Sequence, residues 1–230
     1  MKVRLARIHE QIAKICQRIG RDPSEIVLIG VTKYSDAGKV QAATDAGLSN
    51  IAESRIQDAQ NKFPLLQLRP GQVTKHLIGH LQTNKVKIAL SLFDLIQSVD
   101  SLRLAEEIQK QAEKLGRDVD ILIQVNCSGE AQKSGVEKDA ALELISRAAD
   151  LRNINVKGLM TMAALTDDEK KVREAFRNLR VLHDQAKDVL AKKGRGEMKW
   201  LSMGMSQDFE IALEEGANML RIGRALFSDN

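Results

Sequence analysis

Residues 27–47 read VLIGVTKYSDAGKVQAATDAG. The first seven form an apolar, β-branched run of strand length. The rest carries apolar residues at helical spacing as far as Ala46 and stops at Gly47. The same beat repeats along the chain. A short run at 50–53 precedes a helical segment over 54–66, and a run at 76–79 precedes one over 83–90. The run at 95–99 leads into a helix opened by Ser101 and closed by Gly116. The run at 121–125 leads through a polar loop into a helix from about Lys138. After 156–162, Thr166 and Glu169 have capping-box spacing. The run at 200–203 precedes a helix over 206–215 with Gly216 as its stop, and 219–223 precedes a short terminal turn.

Alternating strands and helices predict a parallel sheet. Eight units is the count that closes a (β/α)8 TIM barrel. An open doubly wound sheet is the competitor, and units of roughly equal length favour closure. There is no internal repeat, low-complexity segment or linker, so one domain over 1–230 is the economical reading. Ahead of the first unit, Val3, Ile8, Ile12, Ile15 and Ile19 recur at helical spacing and Gly20 follows. This predicts an extra N-terminal helix packed outside or below the barrel. An organellar leader is the less economical reading of the same arginine-bearing stretch.

Composition removes several classes of function. The 230 residues are 43% apolar and 29% charged, which is ordinary for a soluble globular chain. Aromatic residues at 3% argue against a base-stacking platform, and a net charge of +4 is too weak to indicate nucleic acid. No apolar run approaches a membrane span. Cys16 and Cys127 are far apart and have neither metal-ligand nor disulfide-framework spacing, so the expectation is two reduced thiols in the cytoplasm.

Barrel sites gather at the C-terminal ends of the strands. The first strand ends in Lys33, whose stem follows valine and isoleucine. An apolar wall there would lower the lysine pKa and favour a nucleophilic amine; the plainer reading is a surface lysine that starts a loop. The seventh strand runs into Ser202-Met203-Gly204-Met205-Ser206 and the eighth into Arg221-Ile222-Gly223-Arg224, each ahead of a predicted helix. Small residues and helix N-termini at these two loops suit a phosphate, although turns and caps alone would also use them. An inward Arg221 needs an acceptor. Glu53, Ser54, His80, Gln82, Ser98, Asn126 and Thr161 are further polar strand ends, while His76 is placed low in the barrel with no catalytic role. The stretch 129–135, GEAQKSG, lacks the order and spacing of a P-loop, which argues against a nucleoside triphosphate. Cys127 reads as an inert small residue near the mouth.

Several segments together carry a family resemblance: Val31-Thr32-Lys33, HLIGHLQTNK at 76–85, Gln124-Val125-Asn126 and Lys133-Ser134-Gly135. The others are GLMTM at 158–162, LSMGMS at 201–206 and Arg221-Ile222-Gly223. The chain resembles the pyridoxal phosphate (PLP) homeostasis protein family, which is similar to the N-terminal barrel of alanine racemase. The resemblance implies that Lys33 holds PLP as a Schiff base and that Ser202, Ser206, Gly223 and Arg224 surround the phosphate. It implies that Arg221 faces the pyridine nitrogen, and it counts Ser54, Met160 and Gly204 with the site. A cation facing the ring nitrogen disfavours its protonation and weakens the ring as an electron sink. Two departures stand out. Ala52-Glu53-Ser54 replaces the Gly-Glu-Asn of many relatives, and the chain ends soon after Phe227.

The function expected from the resemblance is PLP storage, buffering or delivery in the cytoplasm by a monomer. Apo PLP enzymes are the expected recipients, and no dedicated catalysis is implied. The alternatives are a weak amino-acid racemase, a cofactor-free Schiff-base aldolase, or a module that docks a regulatory partner. Against a two-base racemase, the sole tyrosine, Tyr34, directly follows Lys33 and does not supply a base on the opposite face.

Overall fold

The structure, a computed structural model, describes residues 1–129, 134–164, 166–195 and 197–228. Residues 130–133 of the rejected P-loop stretch, with Lys133 of the family motif, lie outside the described residues.

The chain opens with helix α1 (Lys2–Ile19), followed by β1 (Val27–Val31), α2 (Ala37–Asp45), β2 (Asn50–Glu53) and α3 (Ile56–Lys62). Next come β3 (Thr74–Leu77), α4 (Val86–Leu92), β4 (Leu95–Val99), α5 (Leu102–Leu115) and β5 (Val119–Asn126). A two-residue β6 (Val136–Glu137) leads to α6 (Lys138–Ala149), β7 (Ile154–Met160) and the long α7 (Glu169–Lys193). The chain finishes with β8 (Trp200–Ser202), α8 (Phe209–Glu214), β9 (Met219–Ile222) and α9 (Arg224–Phe227).

All pairings are parallel. The order β4-β3-β2-β1-β9-β8-β7-β5 is closed by β4 pairing with β5, and this gives the eight-stranded barrel. The predicted closure is therefore borne out. β6, which the sequence did not suggest, only extends the mouth end of β5.

Strand alternation sorts the side chains into two layers. Ile51, Ile96, Ile121, Ile123, Leu159, Leu201 and Leu220 face the helices and form the large core with their apolar stripes. Inside the barrel a smaller cluster contains Ile29, Ala52, Leu95, Leu122, Met160 and Met219. Polar side chains share that interior with it. His76, Gln97, Ser202 and Arg221 are all buried.

Helix α1 packs against α8 and α9 on the outside of the barrel. Leu5, Ile8, Ile12 and Ile15 form its buried stripe, each contributing about 1.5–3 kcal/mol by leaving water. Val3, expected in that stripe, is 82% exposed; Leu5 lies on the buried face instead. Gly20 closes the helix in a left-handed conformation, φ +70°, as expected.

Two helix starts differ from expectation. The cap of α7 is Asp168, which accepts from the amides of Lys170 (3.0 Å) and Lys171 (3.4 Å), whereas the Thr166 hydroxyl accepts from the Asp168 amide at 3.1 Å. A charged carboxylate outcompetes a hydroxyl for free helical N–H groups. Helix α8 begins at Phe209 instead of Ser206. The Asp208 carboxylate takes the Met205 amide at 2.5 Å, and the Asp208 and Phe209 amides both return to the Met205 carbonyl. Residues 205–208 are thereby wound into a turn.

Candidate functional site

The mouth of the barrel collects the loops after β1, β2, β8 and β9. Lys33 stands in a turn two residues beyond β1, closed by the Ser35 amide donating to the Thr32 carbonyl at 2.9 Å. It is exposed, and its Nζ lies 5.2 Å from the centroid of the Tyr34 ring. The expected apolar wall around its stem is not formed, because the chain leaves the strand before Lys33 and lifts it to the rim.

The base of this turn is held firmly. The Thr32 hydroxyl donates to Glu53 Oε1 at 2.6 Å, and the Thr32 amide donates to the Ala52 carbonyl at 2.9 Å. The Lys62 ammonium, from the last residue of α3, donates to the Thr32 carbonyl at 2.6 Å and also bonds Glu53. Glu53 was one of the polar strand ends that could have lined the mouth. Its side chain is fully buried and points outward, between the barrel and α3. Strand parity explains this: Ala52 faces the interior, so Glu53 faces the helices.

Ser54 follows β2 and is half-buried. Its backbone is crossed by Gly79, where an added Cβ would lie 2.0 Å from the Ser54 carbonyl oxygen. The GHL part of the 76–85 motif therefore begins with a residue that must lack a side chain.

On the other side of the mouth the loops after β8 and β9 converge. The Ser206 hydroxyl accepts from the Ala225 amide in the first turn of α9 at 3.4 Å. Gly223 caps α9 and packs beside the end of β1, its absent Cβ 3.4 Å from the Val31 carbonyl. Arg224 next to it is exposed. Gly204 is buried at φ +95°, and a Cβ there would stand 2.6 Å from that of Ala212. Helices α8 and α9 are only six and four residues long. Such short helices offer little dipole to an anion, because helix dipoles build up over longer helices; the groups these loops present are the Ser206 hydroxyl, the Arg224 guanidinium and loop amides.

Below the mouth Arg221 is 3% exposed. The acceptors required by its burial are the Ser202 hydroxyl and the Thr161 carbonyl, each 2.7 Å away. These bonds use two of the five N–H groups of a guanidinium. Burial draws its pKa down to about 10, and the charge of Asp208 opposes the shift. Arg221 is therefore a cation at neutral pH. Asp208 is itself raised by burial.

Ser202 is fully buried, its hydroxyl shared between Arg221 and Gln97 (2.7 Å). Met160 is also fully buried, within the interior apolar cluster. Lys33, Ser54, Ser206, Gly223 and Arg224 thus gather at the rim, Arg221 and Ser202 lie beneath, and Met160 is floor. Gly204 supports the loop from behind.

Other candidates are held elsewhere. Thr161 donates to the Val125 carbonyl at 2.7 Å, and His80 stands 3.7 Å from Asp100. Among the described residues no group of histidine, cysteine and acidic side chains could hold a metal. Sequence reasoning missed Lys62 and Gln97. Nothing in the sequence marks Lys62, but Gln97 stands with Ser98 as one of two polar residues in the strand run 95–99, of which only Ser98 was singled out.

Comparison with known proteins identifies the family. Residues 3–230 match the family described as alanine racemase, N-terminal domain. A pyridoxal phosphate homeostasis protein of Aquifex aeolicus is 40% identical over 226 residues, 98% of this chain and 96% of that one. PipY of Synechococcus elongatus, 31% identical, superposes with a TM-score of 0.87 in its structure without PLP, over 99% of this chain and all of that one. Its structure with PLP bound gives 0.80, over 94% of this chain and all of that one. An alanine racemase of Clostridium difficile, at 16% identity and TM-score 0.70, covers 95% of this chain and 55% of its own, and shares the fold. This chain belongs to the alanine racemase N-terminal domain family and, within it, to the pyridoxal phosphate homeostasis proteins.

Proposed function

We propose that this protein binds pyridoxal 5'-phosphate covalently through Lys33 and keeps it available to other proteins, by storage, buffering or delivery. The observation that carries the reading is the vertical arrangement of the mouth. An exposed amine stands at the rim and a fixed, buried cation lies below it. The donor set fits the cofactor. Lys33 supplies an amine for the aldehyde, and Arg221 would face the pyridine nitrogen. Ser206, Gly223 and Arg224 would take the phosphate, with Ser202 below and Gly204 behind them. Ser54 and Met160 complete the wall and floor. PLP supplies an aldehyde and an electron-withdrawing ring. In this chain Arg221 holds a positive charge where a stronger electron sink needs a proton.

A carrier role is supported by the exposure of Lys33. An attachment point at the rim lets cofactor leave, whereas a catalytic lysine is better served by a closed, dry site. Tyr34 shares the Lys33 turn, so it does not serve as a second base across the cofactor. We read residues 1–230 as one cofactor-binding unit that acts as a monomer in the cytoplasm, with apo PLP enzymes as recipients. No helix among the described residues is long and apolar enough to cross a membrane, and Cys16 and Cys127 are both free thiols.

The test is the visible absorbance of the protein titrated with PLP, beside Lys33→Ala. A band that borohydride bleaches, absent from a folded variant, is the expected result. A band retained by Lys33→Ala overturns the attachment. Exchange of an amino acid's α-proton in heavy water at a rate above that of free PLP would overturn the carrier reading in favour of the racemase.

A further inference from the structure

Beneath Arg221 the barrel interior holds a continuous row of hydrogen bonds. The row descends from Arg221 to Ser202 (2.7 Å), then to Gln97 (2.7 Å), and on to His76 Nδ1 (3.0 Å). It continues from His76 Nε2 to Asn50 Oδ1 (3.0 Å) and from Asn50 to Ser49 (3.1 Å), at the opposite end of the barrel from the mouth. Ser202 and Gln97 are fully buried and His76 is 2% exposed.

The direction of every bond follows from the top. A guanidinium only donates, so Ser202 accepts there and its single proton goes down to Gln97 Oε1. That orients the amide, whose Nε2 donates to His76 Nδ1 and to Met219 Sδ at 3.3 Å. His76 Nδ1 is therefore unprotonated, and the ring proton sits on Nε2 and is given to Asn50. A neutral ring is what burial favours, and burial lowers the His76 pKa to about 3. A buried polar group without a partner is costly, so each member holds the next in one orientation.

We propose that Gln97 and His76 are positioning residues for Arg221: through Ser202 they fix the guanidinium against the cofactor ring. This rests on the PLP reading of the mouth. Ser202 by itself is a weak support, because a free hydroxyl rotates; Gln97 removes that freedom by taking its proton. His76 in turn prevents the Gln97 amide from flipping, since the flipped amide would turn its oxygen to a ring nitrogen with no proton to give.

Two measurements test this. The first needs no cofactor: long-range ¹H–¹⁵N NMR of the His76 ring in the wild-type protein. A neutral ring protonated on Nε2 is expected, and a ring protonated on Nδ1 overturns the ordered row. The second is PLP titration of Gln97→Leu, Ser202→Ala and the double variant, with circular dichroism and thermal melting for the fold. Gln97→Leu should weaken PLP binding about tenfold, the worth of one well-placed hydrogen bond, and shift the cofactor absorbance maximum. In the Ser202→Ala background the same change should have little further effect, because the link is already cut.

A Gln97→Leu protein with lowered melting temperature but wild-type affinity and absorbance overturns the proposal, as does full additivity in the double variant. Failure of the wild-type protein to bind PLP would overturn the cofactor reading instead, and leaves the NMR result to decide the row. Should Gln97→Leu not fold, Gln97→Met takes its place, keeping the length of the side chain while removing both the acceptor for Ser202 and the donor to His76 Nδ1; wild-type PLP affinity and absorbance in that variant overturn the proposal.

Discussion

The Thr32 hydroxyl donates a 2.6 Å hydrogen bond to the Glu53 carboxylate, one residue before the lysine at the rim. Lys62 binds both partners, donating to the Thr32 carbonyl and to Glu53. The turn that presents Lys33 is thus tied to the barrel wall by a buried ion pair, with Glu53 fully buried and the Lys62 side chain 12% exposed. The exposed lysine has a rigid base.

This clamp predicts an asymmetric response to mutation. Lys62→Met leaves the Glu53 carboxylate buried without its cation, which costs about 3–5 kcal/mol. Glu53→Gln combined with Lys62→Met removes both charges, and most of that loss should return. Urea unfolding of the two variants measures the difference. Equal stability in the single and double variants would mean that the pair is not the strut described here.

His76 predicts a steep acid limb. Burial lowers its folded pKa to about 3 from an ordinary 6.5. Between these values the unfolded chain binds a proton that the folded chain refuses, so stability falls as pH falls through the window. One proton corresponds to about 1.4 kcal/mol per pH unit. His183, also lowered by burial, adds a second contribution in the same direction. His76→Asn should be less stable at neutral pH but lose stability less steeply between pH 6 and pH 4, by roughly that one-proton slope. Chemical denaturation at a series of pH values reads the slope, and parallel wild-type and variant curves would contradict a neutral buried His76.

Much of the architecture was legible because parallel barrels are written in local pattern. The 95–99 run is β4, and Ser101 and Gly116 bound α5 as read. The rims were less legible. Glu53 and Lys33 both end strands in the sequence, yet one turns to the helices and the other leaves the strand; the difference depends on where each strand stops. The β3 and β7 runs were read two residues late, which moved Thr161 and Met162 into a strand that ends at Met160. The row from Arg221 to His76 was not readable at all. It joins residues 145 positions apart across the barrel, and a register shift between Ile96 and Val99 in β4 breaks simple alternation beside Gln97. Arg221 was flagged as needing acceptors, because a buried guanidinium must have them, and Ser202 was named only for the phosphate, not as a partner of Arg221.

Cys127, at the end of β5, is predicted to be chemically quiet. It is buried, and burial pushes its thiol up to about 11. At pH 7.5 fewer than about one molecule in a thousand carries the reactive thiolate. Cys16 is fully buried and is raised by burial as well. Ellman's reagent should therefore titrate neither thiol in the native protein and both in denaturant. Rapid native labelling of Cys127 would show that the end of β5 opens.

Gly204 and Gly223 flank the proposed phosphate cradle and should respond differently to alanine. Gly204 has φ +95°, and its added Cβ would stand 2.6 Å from the Ala212 Cβ on α8. Both the backbone and the neighbouring helix must yield, so Gly204→Ala should cost about 1–3 kcal/mol and displace the loop that carries Ser206. Gly223 has φ −109°, and its nearest neighbour to an added Cβ is the Val31 carbonyl at 3.4 Å. An alanine fits there, and its stability cost should stay within about 0.5 kcal/mol. Any loss of PLP affinity in Gly223→Ala would then be a local effect of the methyl group on the cradle, whereas in Gly204→Ala it accompanies a lowered melting temperature. Melting curves and PLP titrations of the two variants separate these cases, and equal destabilisation by both would refute the account of Gly204 as the strained support of the loop.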